Sequence, residues 1–337
     1  MHDFLYVNLA QRFEKMIEDN VLKVGDKLPS VRSLSREQGV SHSTAFQVYV
    51  ELEKRGLIEA RPKSGYYVRF VPSANHRLPN RIIPSANIQN SRTASIIRTV
   101  YGNISDTSLT RFCINAPGPE LLPVSRIKRS VLHVMRESPD VGLQYGSVQG
   151  DAALRTQIAR MAFSQGSLVH ADDILITAGC MEAINIALRS VCQPGDGVAI
   201  ESPTYFGIFQ AIESLGMRAV EIPTDPETGI DQQALGNLID AGTISACLLV
   251  SNFSNPLGAC IPDEKKKELV EMLADKGVPL IENDIYGEMY FGKKRPRSCQ
   301  SFDQTGNVIL CSSVSKTLAP GYRIGWIIPG KYYEQAF

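Results

Sequence analysis

The sequence of 337 residues has no run of 18 consecutive apolar residues, the length that a membrane-spanning helix requires. Its N-terminus, Met1-His2-Asp3-Phe4, lacks the charged and then apolar profile of a signal peptide. Its seven cysteines include no CxxC pair, which argues against a zinc site and against a disulfide framework. These absences predict a cytoplasmic globular protein that has no metal site and whose cysteines are mostly buried thiols.

Charge is distributed unevenly along the chain, although the net charge is zero. Residues 1–81 contain 13 Lys and Arg against 9 Asp and Glu, a balance of +4, and the remainder therefore carries −4. The hydrophobic fraction of 43% is ample for a buried core, and the length allows two domains. A basic head on an acidic body is compatible with DNA binding.

The first 70 residues have the pattern of a small helical domain that ends in a hairpin. Apolar side chains recur at helical spacing over residues 4–20, and further helices are predicted at 30–38, capped by Ser30, and at 41–56, capped by Ser41. Residues 57–70 have the pattern of a β-hairpin. Together these elements predict a winged helix-turn-helix, whose third helix presents its N-terminal end to the major groove.

Two segments of this region carry a family resemblance. Leu-Pro-Ser-Val-Arg-Ser-Leu at residues 28–34 and Gly-Tyr-Tyr-Val at residues 65–68 resemble the DNA-binding domain of GntR-family regulators. The family often has arginine where this chain has His42. The resemblance implies a partner, double-stranded DNA, and contacts to it from Arg32, His42, Ser43, Thr44 and Gly65.

The remainder of the chain has a different organisation. Residues 76–110, rich in Ser, Asn, Pro and Arg, are predicted to link a DNA-binding domain at 1–75 to a second domain at 111–337. In the second domain, apolar runs typical of strands lie at 174–178, 198–201, 219–222, 247–251, 278–282 and 308–311, and helical segments lie at 180–192, 205–215, 231–240 and 263–276. This alternation predicts an α/β fold with a largely parallel sheet, which binds ligands at the carboxyl ends of its strands.

Lys316 follows the last of these strands, in Ser-Ser-Val-Ser-Lys-Thr at residues 312–317. A deprotonated lysine amine can form a Schiff base with an aldehyde, while Ser313, Ser315 and Arg323 offer two hydroxyls and a guanidinium to a phosphate. A pyridoxal phosphate site needs this combination. A solvated basic loop after a strand is the alternative interpretation.

Two more strand ends offer groups for a phosphate and for an aromatic ring. Gly179 and Cys180 stand where a strand enters a helix, whose free N–H groups can bind an anion. Tyr205, which follows the next strand, could stack on a flat heterocycle. An ordinary turn and a core aromatic are the alternatives.

The following strand ends offer polar groups for the edge of a ring. Asn255 could donate a hydrogen bond to a phenolic oxygen. Asp284 and Tyr286 are two residues apart and are expected on the same side of an extended chain. Asp284 could then keep a pyridine nitrogen protonated, while Tyr286 bonds the same phenolic oxygen as Asn255.

Taken in this order, the motifs resemble fold-type I pyridoxal-phosphate enzymes of the aminotransferase class over roughly residues 112–337. The resemblance implies pyridoxal 5'-phosphate as cofactor, with its aldehyde on Lys316. Tyr145, in Gln-Tyr-Gly-Ser, matches a tyrosine that reaches the cofactor phosphate of a neighbouring subunit, which implies a homodimer. The family continues into a small C-terminal domain, which is expected to be missing here because the sequence stops at Phe337. By this resemblance, phosphate is bound by Gly179, Cys180, Ser313, Ser315 and Arg323, and the ring by Tyr205, Asn255, Asp284 and Tyr286.

A GntR-like head joined to an aminotransferase-like body resembles the MocR-type subfamily of bacterial regulators. The resemblance implies a pyridoxal-phosphate-dependent transcription regulator that senses the cofactor or an amino acid or amine effector. A working aminotransferase with an appended DNA-binding head is the alternative, because every cofactor residue is present. A truncated relic that neither binds cofactor nor regulates is the third possibility.

Overall fold

The computed structural model describes residues 5–19, 21–62, 64–69, 99, 102–103, 115–138, 140 and 142–337. The chain divides into two compact units, Met1–Leu78 and Pro79–Phe337. Apart from residues 99 and 102–103, the predicted linker at 76–110 lies outside the described residues. The domain limits drawn from the sequence therefore stay predictions.

The first unit is the predicted winged helix-turn-helix. Ser30 accepts a hydrogen bond from the Ser33 N–H at 3.1 Å, and Ser41 accepts one from the Thr44 N–H at 3.0 Å, so both serines cap helices as expected. Gly39 lies between these two helices with φ +63°, a backbone conformation that glycine adopts without steric cost. The elements are α1 Leu5–Glu18, α2 Val31–Gln38, α3 His42–Lys54, β1 Ile58–Arg61 and β2 Gly65–Val68.

One hydrophobic core holds this unit together, because every element contributes to it. Leu9 of α1, Leu34 of α2 and Val48 of α3 pack with Ile58 of the hairpin, and all four are buried. Tyr49 is completely buried and donates its hydroxyl to the Pro29 carbonyl oxygen at 2.6 Å. That bond ties α3 to the segment before α2.

The second unit is an α/β domain around an eight-stranded sheet in the described residues, with strand order β3-β10-β9-β8-β7-β4-β5-β6. Neighbours from β9 to β5 are parallel, β10 is antiparallel to both β3 and β9, and β6 is antiparallel to β5. The strands are β3 Leu175–Thr177, β4 Gly197–Ser202, β5 Arg218–Asp225, β6 Gly229–Ile230, β7 Ala246–Leu249, β8 Leu280–Asn283, β9 Val308–Ser313 and β10 Gly325–Ile328. The expected largely parallel sheet is confirmed.

Helices cover both faces of this sheet, which explains the continuous apolar runs in its central strands. Ile184 and Ile208 pack against one face, and Leu235 and Leu269 against the other. The helices are α4 Val124–Glu137, α5 Ala152–Ser164, α6 Cys180–Val191, α7 Phe206–Ser214, α8 Gln232–Asp240, α9 Asp263–Asp275 and α10 Tyr333–Ala336. Helices α4, α5 and α10 were not among the segments predicted from the sequence.

The six cysteines that the structure describes carry free thiols. Five are buried, and Cys260 is half-buried. None of the described helices is both long and apolar enough to span a membrane. Within the same residues, no group of three or more His, Cys, Asp and Glu side chains is arranged to hold a metal ion.

Candidate functional site

A cavity of about 320 Å³, here named the Lys316 cavity, lies where strands β3, β4, β7, β8 and β9 end. The carboxyl ends of parallel strands meet at one edge of a sheet, so residues distant in sequence come together there. The side chains around it belong to residues that precede β3 or that lie at or after the ends of these strands. They are Ala116, Cys180, Met181, Tyr205, Val250, Asn255, Asn283, Ile285, Tyr286, Ser315, Lys316, Pro320 and Arg323.

Lys316 is half-buried, and a hydrogen bond orients its side-chain amine. Its Nζ donates to the Asn115 carbonyl oxygen at 2.8 Å and lies 5.6 Å from the centre of the Tyr286 ring. Burial lowers the pKa of Lys316, an effect that the nearby Cys180 partly opposes. A lower pKa increases the fraction of neutral amine, the form that attacks an aldehyde.

Arg323 and two glycines form the turn at which the sequence predicts phosphate binding, here named the anion turn. Arg323 has φ +53°, and its Nη2 donates to the Ala178 carbonyl oxygen at 3.3 Å. A Cβ on Gly179, where φ is +101°, would overlap the Arg323 guanidinium, and a Cβ on Gly325 would overlap the backbone of Gly179 and Cys180. The guanidinium can therefore lie against the start of α6 only because both positions are glycine.

Cys180 and the two predicted serines occupy different places around this turn. Cys180 is the first residue of α6, and its thiol donates to Asn283 Oδ1 at 3.3 Å. Burial raises the pKa of the Cys180 thiol to about 12, so the thiol stays neutral. Ser315 lines the Lys316 cavity, and its N–H donates to the Ser313 hydroxyl at 3.3 Å. Ser313 itself lines a second cavity.

The other end of the Lys316 cavity carries aromatic and amide groups. Burial raises the pKa of Tyr286, and the neighbouring side chains of Asn115 and Asn255 partly oppose this effect. Tyr205 packs against Phe206, with ring centres 4.5 Å apart. Asn255 and Tyr286 thus line the same cavity, as expected for two groups that bind the same oxygen.

The predicted position of Asp284 in this site is wrong. Strand β8 ends at Asn283 and the chain bends at residues 285–286, so the alternation of an extended strand does not apply to Asp284 and Tyr286. The Asp284 carboxylate pairs with Arg295 and accepts from Asn252 Nδ2 at 2.9 Å. It lines the second cavity, of about 400 Å³, here named the Arg295 cavity. The polar β8 side chain in the Lys316 cavity is Asn283.

Tyr145 lies outside the Lys316 cavity and is fully exposed on this chain. Its predicted contact with a neighbouring subunit stays a prediction. Sequence reasoning missed Asn115 and Asn283. Asn115, with φ +47°, opens the stretch Asn-Ala-Pro-Gly, whose turn-forming residues were the available signal. Asn283 had no signal beyond its position at the end of a predicted strand.

In the first unit, the predicted DNA contacts lie at the ends of elements. Arg32, His42 and Ser43 are exposed in the first turns of α2 and α3, and Gly65 is exposed at the start of β2. Thr44 is half-buried, and its hydroxyl is 2.7 Å from the Ser41 hydroxyl. These positions leave the side chains of α2 and α3 available to a partner.

Two cations that the sequence interpretation did not name lie against Tyr67 of the hairpin. The Arg61 guanidinium lies 4.3 Å from the centre of the Tyr67 ring, and Lys27 Nζ lies 5.8 Å from it. The Tyr67 and Ser64 hydroxyls are 2.6 Å apart, which orients the ring. Two positive groups are therefore held on one aromatic side chain of the wing.

Glu201, at the end of β4, is a buried carboxyl group beside the Lys316 cavity. Its Oε2 accepts from the Val250 N–H at 2.8 Å, while its Oε1 has no hydrogen-bond partner among the described residues. Burial raises the pKa of Glu201 to about 8. The folded protein therefore holds this carboxyl protonated at pH values where the unfolded chain has lost the proton.

We expect the free energy of unfolding to fall as pH rises from 4.5 to about 8, because the folded state alone keeps the Glu201 proton over that range. The Glu201→Gln variant keeps an oxygen for Val250 and does not titrate. It should match the parent protein near pH 4.5 and exceed its free energy of unfolding by about 4 kcal/mol at pH 8. Urea unfolding across this range measures the difference, and parallel pH profiles for the two proteins would contradict the expectation.

The exposed carboxylate Glu227 provides the matched control. Glu227→Gln removes the same charge from the surface, so its pH profile should follow that of the parent protein.

Comparison with known proteins assigns both units. Residues 107–331 match the family model Aminotransferase class I and II, and residues 5–68 match the model for bacterial regulatory proteins of the gntR family. The uncharacterized HTH-type transcriptional regulator YjiR of Escherichia coli is 39% identical over 331 residues, covering 98% of this chain and 70% of the relative. A second regulator of that bacterium, YdcR, is 37% identical over 327 residues, covering 97% and 69%.

Solved structures give the same assignment for the second unit. An archaeal alanine:glyoxylate aminotransferase superposes with a TM-score of 0.65 at 25% identity, over 74% of this chain and 63% of that one. The chain thus spans less than two thirds of the length of this structural neighbour. The aminotransferase class I and II fold binds pyridoxal 5'-phosphate, which confirms the cofactor implied by the sequence. The chain belongs to the family of HTH-type transcriptional regulators that join a GntR-family DNA-binding domain to an aminotransferase class I and II domain.

Proposed function

We propose that the chain is a cytoplasmic transcription regulator that binds pyridoxal phosphate in the Lys316 cavity, responds there to an amino acid or amine, and binds DNA as a homodimer. Two features carry the proposal. The amine of Lys316, whose pKa is lowered, lines the same cavity as the anion turn formed by Arg323 and two glycines. The same chain also has a winged helix-turn-helix. A protein that only catalysed transamination would not need the second feature.

The residues present fit the cofactor. Because Gly179 and Gly325 have no Cβ, the Arg323 guanidinium and the β10 backbone can lie against the start of α6, and Ser315 adds a hydroxyl to the cavity. These groups would hold the phosphate. Asn255 and Tyr286 would hold the phenolic oxygen, and Tyr205 would stack on the ring. When bound, the cofactor supplies an aldehyde with which primary amines react.

Lys316 is the residue of this chain that would hold that aldehyde. The hydrogen bond to the Asn115 carbonyl oxygen orients its Nζ, and burial lowers its pKa, so the amine is available in neutral form. The raised pKa of Tyr286 keeps the phenol protonated, so it can donate a hydrogen bond to an oxygen in the cavity. An amine effector that competes with Lys316 for the aldehyde would release the lysine side chain.

A homodimer is supported by surfaces that one chain leaves uncovered. Helix α4 has no buried residue and exposes Val131, Leu132, Val134 and Met135. Tyr145 is also exposed, and we propose that it reaches the cofactor phosphate of a second copy. Two copies would place two winged helix-turn-helix domains on DNA. An effector that favours one dimer geometry would change how these domains bind paired half-sites.

The experiment that tests the proposal is selection of DNA from a random library by the full chain, with and without pyridoxal phosphate. We expect paired half-sites to be enriched, and their spacing or recovery to change when the cofactor is added. Recovery of no common sequence under both conditions would overturn the regulatory function. Enrichment of the same sequences with and without the cofactor would overturn the sensing role alone.

Arg32→Ala is expected to weaken binding to all DNA sequences alike by about tenfold, because an exposed arginine at the start of α2 is placed to contact a phosphate. The slope of log affinity against log salt should become shallower by about one unit. Fluorescence anisotropy at several salt concentrations measures both quantities. The exposed Lys267 of α9 is the control, and Lys267→Ala should leave both unchanged. A loss confined to one base position would show instead that Arg32 contacts a base.

A further inference from the structure

We propose that Asn283 faces the ring nitrogen of the bound cofactor, so that the site holds pyridoxal phosphate with an unprotonated ring nitrogen and senses amines without efficient transamination. The inference rests on the proposed function, because it requires the cofactor in the Lys316 cavity. It replaces the carboxylate expected at this position with an amide.

The position of Asn283 follows from the sheet. Asn283 is the last residue of β8, pairs with Cys311 of β9, and is buried in the wall of the Lys316 cavity. The preceding residue, Glu282, points away from the cavity and accepts from the Cys299 N–H at 2.7 Å. Alternation along β8 therefore brings the amide, and not the neighbouring carboxylate, to the cavity.

The hydrogen bond from Cys180 fixes which end of the Asn283 amide is available. Asn283 Oδ1 accepts from the Cys180 thiol at 3.3 Å, and among the described residues Nδ2 has no acceptor. The available group is therefore an N–H donor. Such a donor can bond the lone pair of an unprotonated pyridine nitrogen, whereas a protonated nitrogen would need an acceptor.

The carboxylates around the cavity are engaged elsewhere, and none in the described residues lines it. Asp284 pairs with Arg295, Glu282 accepts from the Cys299 and Gln300 N–H groups, and Glu201 accepts from the Val250 N–H. A ring nitrogen at Asn283 thus has no anion to hold a proton on it. An unprotonated ring withdraws electrons less, which makes it a poor electron sink for transamination.

The test is ¹⁵N NMR of the full chain loaded with pyridoxal phosphate that is ¹⁵N-labelled at the ring nitrogen. We expect the parent protein to show the chemical shift of an unprotonated pyridine nitrogen. Asn283→Asp should move the signal to the protonated position. Asp284→Asn is the matched control and should leave the signal where it is, because Asp284 lines the Arg295 cavity.

Single-turnover reaction with amino acids gives a second readout. The Asn283→Asp variant should convert its bound cofactor at least about tenfold faster than the parent protein, because the protonated ring stabilises developing negative charge. Equal rates would overturn the functional part of the inference. A protonated nitrogen in the parent protein would overturn the assignment of Asn283 even if the variant does not fold. Failure of the labelled cofactor to bind at all would instead overturn the proposed function, and this inference with it.

Discussion

Lys316→Ala should abolish covalent attachment of pyridoxal phosphate completely, since Lys316 is the one lysine among the described residues that lines the cavity. Its amine is oriented by the Asn115 carbonyl oxygen and has a lowered pKa, so no other described lysine combines the same position and reactivity. Borohydride reduction followed by peptide mass spectrometry measures the attachment. The parent protein should carry the reduced cofactor on Lys316 alone.

The exposed Lys331 supplies the control for this experiment. Lys331→Ala should retain full labelling. Cofactor that persists in Lys316→Ala after reduction, or that maps to a different lysine in the parent protein, would refute the assignment. Footprinting of the same variant on DNA extends the test, because a variant without Lys316 that still responds to amines would show that release of this lysine is not the switch.

Gly179→Ala should lower the affinity for pyridoxal phosphate by a factor on the order of one hundred. Its Cβ would overlap the Arg323 guanidinium, and its φ of +101° is costly for any residue with a side chain. The displaced guanidinium would leave the place where it is proposed to bind the phosphate. Titration of the cofactor absorbance against protein measures the dissociation constant.

A control separates the collision from the backbone strain. Gly277 also has a positive φ, +68°, but its Cβ would meet no atom within 4 Å, and it lies after α9. Gly277→Ala therefore carries the strain without the collision, and it should bind cofactor like the parent protein. Equal affinity for Gly179→Ala and the parent protein would rule out the anion turn.

Much of the cavity could be predicted because its residues follow strands. Tyr205, Asn255 and Lys316 each follow an apolar run that forms a parallel strand, and such strands deliver their carboxyl ends to one edge. The caps Ser30 and Ser41 could be predicted for a different reason, because capping depends on a local hydrogen bond within three residues.

The remaining features depend on information that local pattern does not contain. Asn115 meets Lys316 across 201 residues of sequence, so neither neighbourhood indicates the contact. Asp284 was misplaced because the chain bends just after Asn283, and period-two alternation holds only along an extended strand. The apolar residues of β10 indicate a strand but not its direction, which is set by packing between β3 and β9.

The position of β10 in the sheet also determines when the anion turn can form during synthesis of the chain. Gly325 of β10 pairs with Thr177 of β3, and Arg323 reaches back to the Ala178 carbonyl oxygen, so the two halves of the anion turn are encoded far apart. On the ribosome, the β3 half emerges first, without the Arg323 guanidinium. The complete anion turn can form only after β10 has left the exit tunnel and inserted between β3 and β9. If this turn binds the cofactor phosphate as proposed, capture of the cofactor is a late step in the biogenesis of this domain.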